Sequence, residues 1–105
     1  IEVSGYPGEE VSATILTIEN NAPISYQIKY DFTYSLPTEV ELQKIVVNGE
    51  EFTTFNDNDG DGSYDITFTL PASTTLNIVA IFKIDSGAEA GTYTITWKSV
   101  EVERS

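Results

Sequence analysis

Apolar and polar side chains alternate with a period of two residues along most of this chain. The clearest run has apolar side chains at every second position: Ile24, Tyr26, Ile28, Tyr30, Phe32 and Tyr34. Because neighbouring side chains of a strand point to opposite faces of a sheet, this pattern predicts a long strand with one buried face. The same period recurs from Tyr64 to Leu70 and from Leu76 to Ile84, and no stretch follows the helical period. The chain is predicted to be all-β.

Shorter patterns predict the remaining strands. They cover Ile1–Ser4, Val11–Glu19, Val40–Val47, Glu51–Phe55 and a last strand from Tyr93 towards Val102. About 7–9 strands at regular spacing predict an antiparallel two-sheet sandwich, either immunoglobulin-like or jelly-roll. The length of 105 residues, 1–105, fits a single β-sandwich domain.

Three local features refine this prediction. Asn48-Gly49 predicts a two-residue hairpin turn, because both residue types tolerate positive φ. The apolar phase shifts between Leu42 and Ile45, which predicts a β-bulge near Gln43-Lys44. Adjacent apolar residues within Val11–Glu19 predict a strand that is covered on both faces.

The charge balance excludes several partners. The formal net charge is −12, while 40% of the residues are hydrophobic, so the chain is acidic and globular. An acidic surface repels nucleic acid and anionic membranes, and we expect neither as a partner. No apolar run approaches the ~18–20 residues that a membrane span requires, so we expect no membrane insertion.

The absence of two residue types restricts the chemistry further. The chain has no His and no Cys, which removes the Ser–His–Asp triad, the Cys–His pair and the usual zinc and copper ligands. Carboxylate pairs such as Glu50-Glu51 would serve a glycosidase only across a cleft, which a small sandwich rarely provides. We therefore expect no enzymatic activity. The chain starts at Ile1 and contains no Met, so we expect that either a leader or anchor segment was removed or the chain is an excised domain, and we favour a secreted protein.

An acidic loop carries the most specific signal. Between Phe55 and Ile66, oxygen-bearing side chains stand at alternate positions: Asp57, Asp59, Asp61, Ser63 and Asp65. Such crowded carboxylates repel one another unless a cation neutralises them. Gly60 and Gly62 supply the positive φ angles that a tight loop needs. The pattern predicts a calcium site, and the alternative is a solvated turn without an ion.

This loop resembles the calcium loops of dockerins and thrombospondin type 3 repeats. The resemblance implies that Asp57, Asp59, Asp61, the Ser63 carbonyl and Asp65 bind Ca²⁺. It departs from the EF-hand loop, because Phe68 stands where that family has its bidentate Glu. A further ligand would come from one of four side chains or from water; the side chains are Asn56, Glu50, Glu51 and Asp85.

A second resemblance lies near the C-terminus. Gly91-Thr92-Tyr93 is similar to the corner of immunoglobulin-like domains, where a Gly stands two residues before a strand-opening Tyr. The resemblance implies that the Tyr93 hydroxyl bonds back to loop backbone. The chain also resembles secreted modules of prokaryotic extracellular fibres and surface layers. The paired cysteines of immunoglobulin domains are missing, so no disulfide is implied.

These features predict an extracellular or cell-surface structural subunit, stabilised by calcium. We expect a homo-oligomer that forms a filament, pilus or surface layer, with Ile1–Ser4 or Ser99–Glu103 as a donor strand. The alternative is a carbohydrate-binding or adhesin module of a larger secreted protein. For that function Tyr6 is the best candidate for an exposed ring, because Trp97 is in phase with Ile95 and is predicted to be in the core. A stalk domain of a surface protein is a third possibility.

Overall fold

The computed structural model describes residues 1–58 and 60–104, which form nine strands. The strands are β1 Glu2–Gly5, β2 Glu10–Asn20, β3 Tyr26–Ser35, β4 Val40–Val47, β5 Glu50–Phe52, β6 Tyr64–Leu70, β7 Thr74–Ile84, β8 Gly91–Thr94 and β9 Thr96–Arg104. Within these described ranges there is no helix long and apolar enough to cross a membrane.

The strands form three antiparallel sheets. A four-stranded sheet has the order β2-β7-β4-β5, a three-stranded sheet has the order β6-β3-β9, and β1 pairs with β8. The apolar faces of the two larger sheets share one core. The predicted all-β antiparallel fold is thus confirmed, and its strand number agrees with the prediction.

The core is centred on the inner strands β3, β7 and β4, each of which is flanked by strands on both sides. On β3 the side chains of Tyr30 and Phe32 are fully buried, and on β7 those of Ile78 and Phe82 are equally buried. The alternation that predicted β3 therefore corresponds to one face of a central strand. Burying a large side chain of this kind stabilises the fold by about 1.5–3 kcal/mol.

Two predicted local features are present. Asn48 and Gly49 adopt φ angles of 49° and 81° in the turn that joins β4 to β5. The pairing of β4 with β7 shifts register between Leu42 and Lys44, which places the expected bulge at Gln43. The hairpin turn was therefore predictable from its residue types, and the bulge from the shift in the alternation of apolar residues.

The prediction that β2 is covered on both faces is wrong. β2 is an edge strand, which pairs only with β7 among the described residues. Its register shifts between Thr14 and Leu16, so Ile15 is an extra residue of a second bulge. The adjacent apolar residues Ile15 and Leu16 reflect this bulge, and the outward side chains such as Thr14 and Thr17 are exposed.

The single last strand that the sequence predicted is divided into two. β8 pairs with β1 and β9 pairs with β3, and the buried residue Ile95 lies between them. The Ile95 and Ile1 backbones exchange hydrogen bonds of 2.6 and 3.0 Å, which fix the N-terminus to this crossing. Alternation continues through Ile95, which explains why the pattern did not reveal the change of sheet.

The corner expected near Tyr93 has the implied contact. The Tyr93 hydroxyl donates a hydrogen bond to the Glu89 carbonyl, four residues earlier. This bond holds the loop before β8 against the strand that follows it.

Tyr93→Phe removes only this hydroxyl. We expect it to lower the free energy of unfolding by about 1 kcal/mol, the usual net value of one hydrogen bond. Urea unfolding followed by tryptophan fluorescence measures the change. Tyr6→Phe is the matched control, because Tyr6 is 71% exposed and its substitution should leave the midpoint unaltered. Equal effects of the two variants would contradict a stabilising role for the Tyr93 contact.

Candidate metal-binding loop

The acidic loop connects β5 of one large sheet to β6 of the other. Its first part runs antiparallel to the start of β6, with Asn56 opposite Asp65 in an isolated bridge. The Asp65 N–H donates a 3.0 Å hydrogen bond to the Asn56 carbonyl. The two ends of the loop are therefore joined by backbone pairing before any side chain contributes.

Asp57 organises the turn of the loop. Its Oδ1 accepts hydrogen bonds from the Gly60 and Asp61 N–H groups at 2.8 and 3.1 Å, and its Oδ2 accepts one from Gly62 at 2.8 Å. Gly60 and Gly62 have φ angles of 77° and 87°, as the sequence predicted. Because these angles are unfavourable for other residues, the glycines allow three N–H groups to converge on one carboxylate.

The second half of the loop is held by two further carboxylates. Asp61 Oδ1 accepts a 2.8 Å hydrogen bond from the N–H of Ser63, which is buried. Asp65 accepts two bonds from Asn58, one from its backbone N–H at 3.0 Å and one from its side-chain amide at 2.7 Å. Asp65 is itself 6% exposed, so its carboxyl group lies largely out of contact with water.

Asp31 adjoins the site and was missed by the sequence analysis. It lies on β3 directly opposite Asp65, and its exposed fraction is 1%. Directly opposed residues of antiparallel strands have Cβ atoms about 4.5–5.5 Å apart on one face of the sheet. Alternation predicted only that Asp31 points away from the core. The pairing of β3 with β6, which no local pattern specifies, brings the two buried carboxylates together.

The carboxylate oxygens of this loop are of the ligand type that hard cations such as Ca²⁺ prefer, although the described residues do not complete a site. A carboxylate offers about four lone-pair positions. Asp57 uses three of these in the hydrogen bonds above and Asp65 uses two, so both retain acceptor capacity. Within residues 1–58 and 60–104, no three acidic side chains are arranged to hold a metal ion. Asp59, the central predicted ligand, lies outside the described residues, so the five-residue ligand set stays a prediction.

Aromatic rings stack beside the loop. Tyr34 lies between Trp97 and Tyr64, with ring centroids 5.4 Å from each and interplanar angles of 15° and 29°. Trp97 also stacks on Phe32, at 5.1 Å and 9°. Burial and, to a smaller extent, the nearby Tyr64 raise the pKa of the Tyr34 hydroxyl. The rings of this cluster therefore stack on one another through their faces.

We expect Asp57→Ala to release the amide hydrogens that its carboxylate accepts. In calcium-free buffer the amides of Gly60, Asp61 and Gly62 should exchange at least about tenfold faster, since each loses a charge-assisted hydrogen bond. Hydrogen exchange followed by NMR gives each amide separately. Asp61→Ala is the control, and it should accelerate the Ser63 amide and leave the three others protected. Unchanged exchange in Asp57→Ala would show that Asp57 does not hold the loop.

No family model, curated protein or solved structure matches this chain. The function is therefore inferred from the fold, from the acidic loop and from the exposed strand edges.

Proposed function

We propose that this protein is an extracellular or cell-surface structural subunit that self-assembles by strand addition and is stabilised by calcium. The observation that carries the proposal is the edge of β2. This strand is eleven residues long, pairs on one side only among the described residues, and has no charge from Val11 to Ile18. Soluble monomers usually protect such an edge with charges, with Pro or with a covering segment.

The side chains of β2 also support addition of a strand. Those that face the core are only half-buried, whereas their neighbours on β7 are fully buried. Leu16, for example, lies opposite Ile78, whose exposed fraction is 0%. A strand placed on the free edge of β2 would cover the half-exposed side chains and would pair the open N–H and C=O groups.

Of the two predicted donor strands, β1 is the one held less firmly. It pairs with β8 over four residues, and Val3 is its only fully buried side chain. Ser99–Glu103 belongs to β9, which pairs with β3 over eight residues. Releasing β1 breaks fewer contacts, so we assign it as the donor and β2 of another copy as the acceptor.

Calcium has a specific place in this proposal. Of the predicted ligands Asp57, Asp59, Asp61, Ser63 and Asp65, three described ones (Asp57, Asp61 and Ser63) lie in the connection between the two sheets, and Asp65 lies at the start of β6. A bound ion supplies positive charge where the chain concentrates carboxylates, which favours the ordered loop. Asp31, buried opposite Asp65, adds a further carboxyl group at the same place. The ion would thus stiffen the junction between the sheets.

The carbohydrate-binding alternative has less support. A sugar-stacking platform needs free ring faces, and Trp97, Tyr34 and Tyr64 pack their faces on one another. Tyr6 is strongly exposed, as predicted, but one ring gives little stacking area.

We expect calorimetric titration to show one calcium ion per chain. At free calcium of about 100 times the Kd, binding should raise the free energy of unfolding by about 2.7 kcal/mol, visible as a higher melting temperature. Asp59→Ala with Asp61→Ala should abolish both the binding heat and the shift in melting temperature.

The matched control for calcium is Glu2→Ala with Glu19→Ala. This pair changes the net charge equally, at two exposed positions on β1 and β2. It should retain full calcium binding. Equal loss in both double variants would indicate a diffuse charge effect, and an unaltered Asp59/Asp61 variant would mean that the loop is only a turn.

We expect light scattering and electron microscopy to show assemblies in calcium that grow with protein concentration. Ser12→Glu with Thr14→Glu should prevent assembly, because carboxylates along the β2 edge repel a donor strand that carries Glu2 in a chain of net charge −12. Thr75→Glu with Asn77→Glu is the control, since these exposed residues lie on β7, in the interior of the same sheet. A strict monomer under every condition would disprove the proposed function.

A further inference from the structure

The edge strand β9 differs from the other edges in its charge. It carries Lys98, Glu101, Glu103 and Arg104, which include two of the five basic residues of the chain. The charged residues of the outer strands β2, β5 and β6 are all acidic. In a chain of net charge −12, β9 is therefore the outer strand at which two copies can approach with opposite charges facing each other.

β9 is also exposed along its length. Every residue from Lys98 to Arg104 is exposed, including Val100 and Val102 at 42% and 44%. Val102 lies opposite the fully buried Tyr30 on the core face of the sheet, yet the facing sheet leaves much of it uncovered. Among the described residues, only β3 pairs with β9. One backbone edge and two valines thus remain available to a partner.

One antiparallel register both pairs opposite charges and places the paired side chains on the same face of the sheet. Placing Lys98 opposite Glu103 of a second copy also places Ser99 opposite Val102 of that copy, and the two-fold axis repeats each pair. Lys98 and Glu103 both lie on the outer face of the sheet, because their β3 partners are Thr33 and Lys29. Ser99 and Val102 both lie on the core face, opposite Phe32 and Tyr30.

We propose that two copies of this chain pair through β9, antiparallel about a two-fold axis, with Lys98 of each copy facing Glu103 of the other. The pairing rests on the proposed self-association, and it adds a defined contact to it. It extends β6-β3-β9 into a six-stranded sheet across the two copies. Within the chain, Lys29 Nζ lies 3.7 Å from Glu103 Oε2 on the outer face of the sheet. The Glu103 carboxylate is therefore on the face from which Lys98 of the second copy would approach.

Charge exchange between the copies tests this pairing. In sedimentation equilibrium, Lys98→Glu alone and Glu103→Lys alone should each weaken dimerisation by roughly tenfold, because two facing pairs become repulsive. Mixing the two variants should restore it, since each interface pair then joins a Glu to a Lys. The double variant Lys98→Glu with Glu103→Lys should dimerise by itself, at the net charge of the native chain.

Glu101→Lys is the matched control. It changes the net charge as Glu103→Lys does, on the same strand and face, but in this register it faces Val100 of the second copy. It should dimerise at least as strongly as the native chain. Equal weakening by Glu101→Lys, or no recovery in the mixture, would overturn the β9 pairing.

The outcomes separate this contact from the proposed function. If the native chain assembles and the charge exchanges have no effect, the β9 pairing is wrong and assembly stands. If only dimers form and they respond to the exchanges as expected, the pairing is supported and the larger assembly is wrong. A monomer at every concentration overturns both.

Discussion

Contact of aromatic rings around Phe32 is the interaction on which the rest of this sandwich depends. Phe32 is fully buried and packs against Tyr30, Tyr34, Phe55, Tyr64 and Trp97. These rings come from three adjacent strands of one sheet and from the segment that leads into the acidic loop. Aromatic pairs contribute about 0.5–1.5 kcal/mol beyond the area that they bury. The cluster therefore fixes the register of β6 and β9 on β3, and with it the positions of Asp65 and of the charges on β9.

The same register explains what the sequence could and could not predict. Alternation identified β3, β4, β6 and β7, because each has one face in the core, and residue chemistry identified the Asn48-Gly49 turn. It did not show that Ile95 separates two sheets, since a strand that changes partners keeps its period of two. It also did not distinguish the bulge at Ile15 from a strand buried on both faces. Of the candidate site, the loop and its glycine angles were predictable, whereas Asp31 became part of it only through the pairing of β3 with β6.

The acidic loop holds several carboxyl groups close together. Asp57 and Asp65 accept N–H groups, which gives the loop a defined shape without any ion. Those hydrogen bonds do not neutralise charge, and Asp31 adds another buried carboxylate beside Asp65. Ionising both of these carboxyl groups at the separation of opposed strands would cost more than at the surface, because water screens the repulsion less. A cation held by side chains that include Asp59 would relieve the repulsion where it is greatest.

The negative net charge causes copies of the chain to repel one another. Adding the two positive charges of one calcium ion to the net charge of −12 leaves −10, so a bound ion reduces repulsion between copies only modestly. Beyond about 8 Å, physiological salt already screens most of that repulsion. What discriminates between surfaces is therefore the charge within each contact. An uncharged edge such as Val11 to Ile18 of β2 would bring no like charges together, and a mixed edge such as β9 would let opposite charges face each other in one register. In the proposed function, calcium would therefore act mainly through the order of the Asp57 loop.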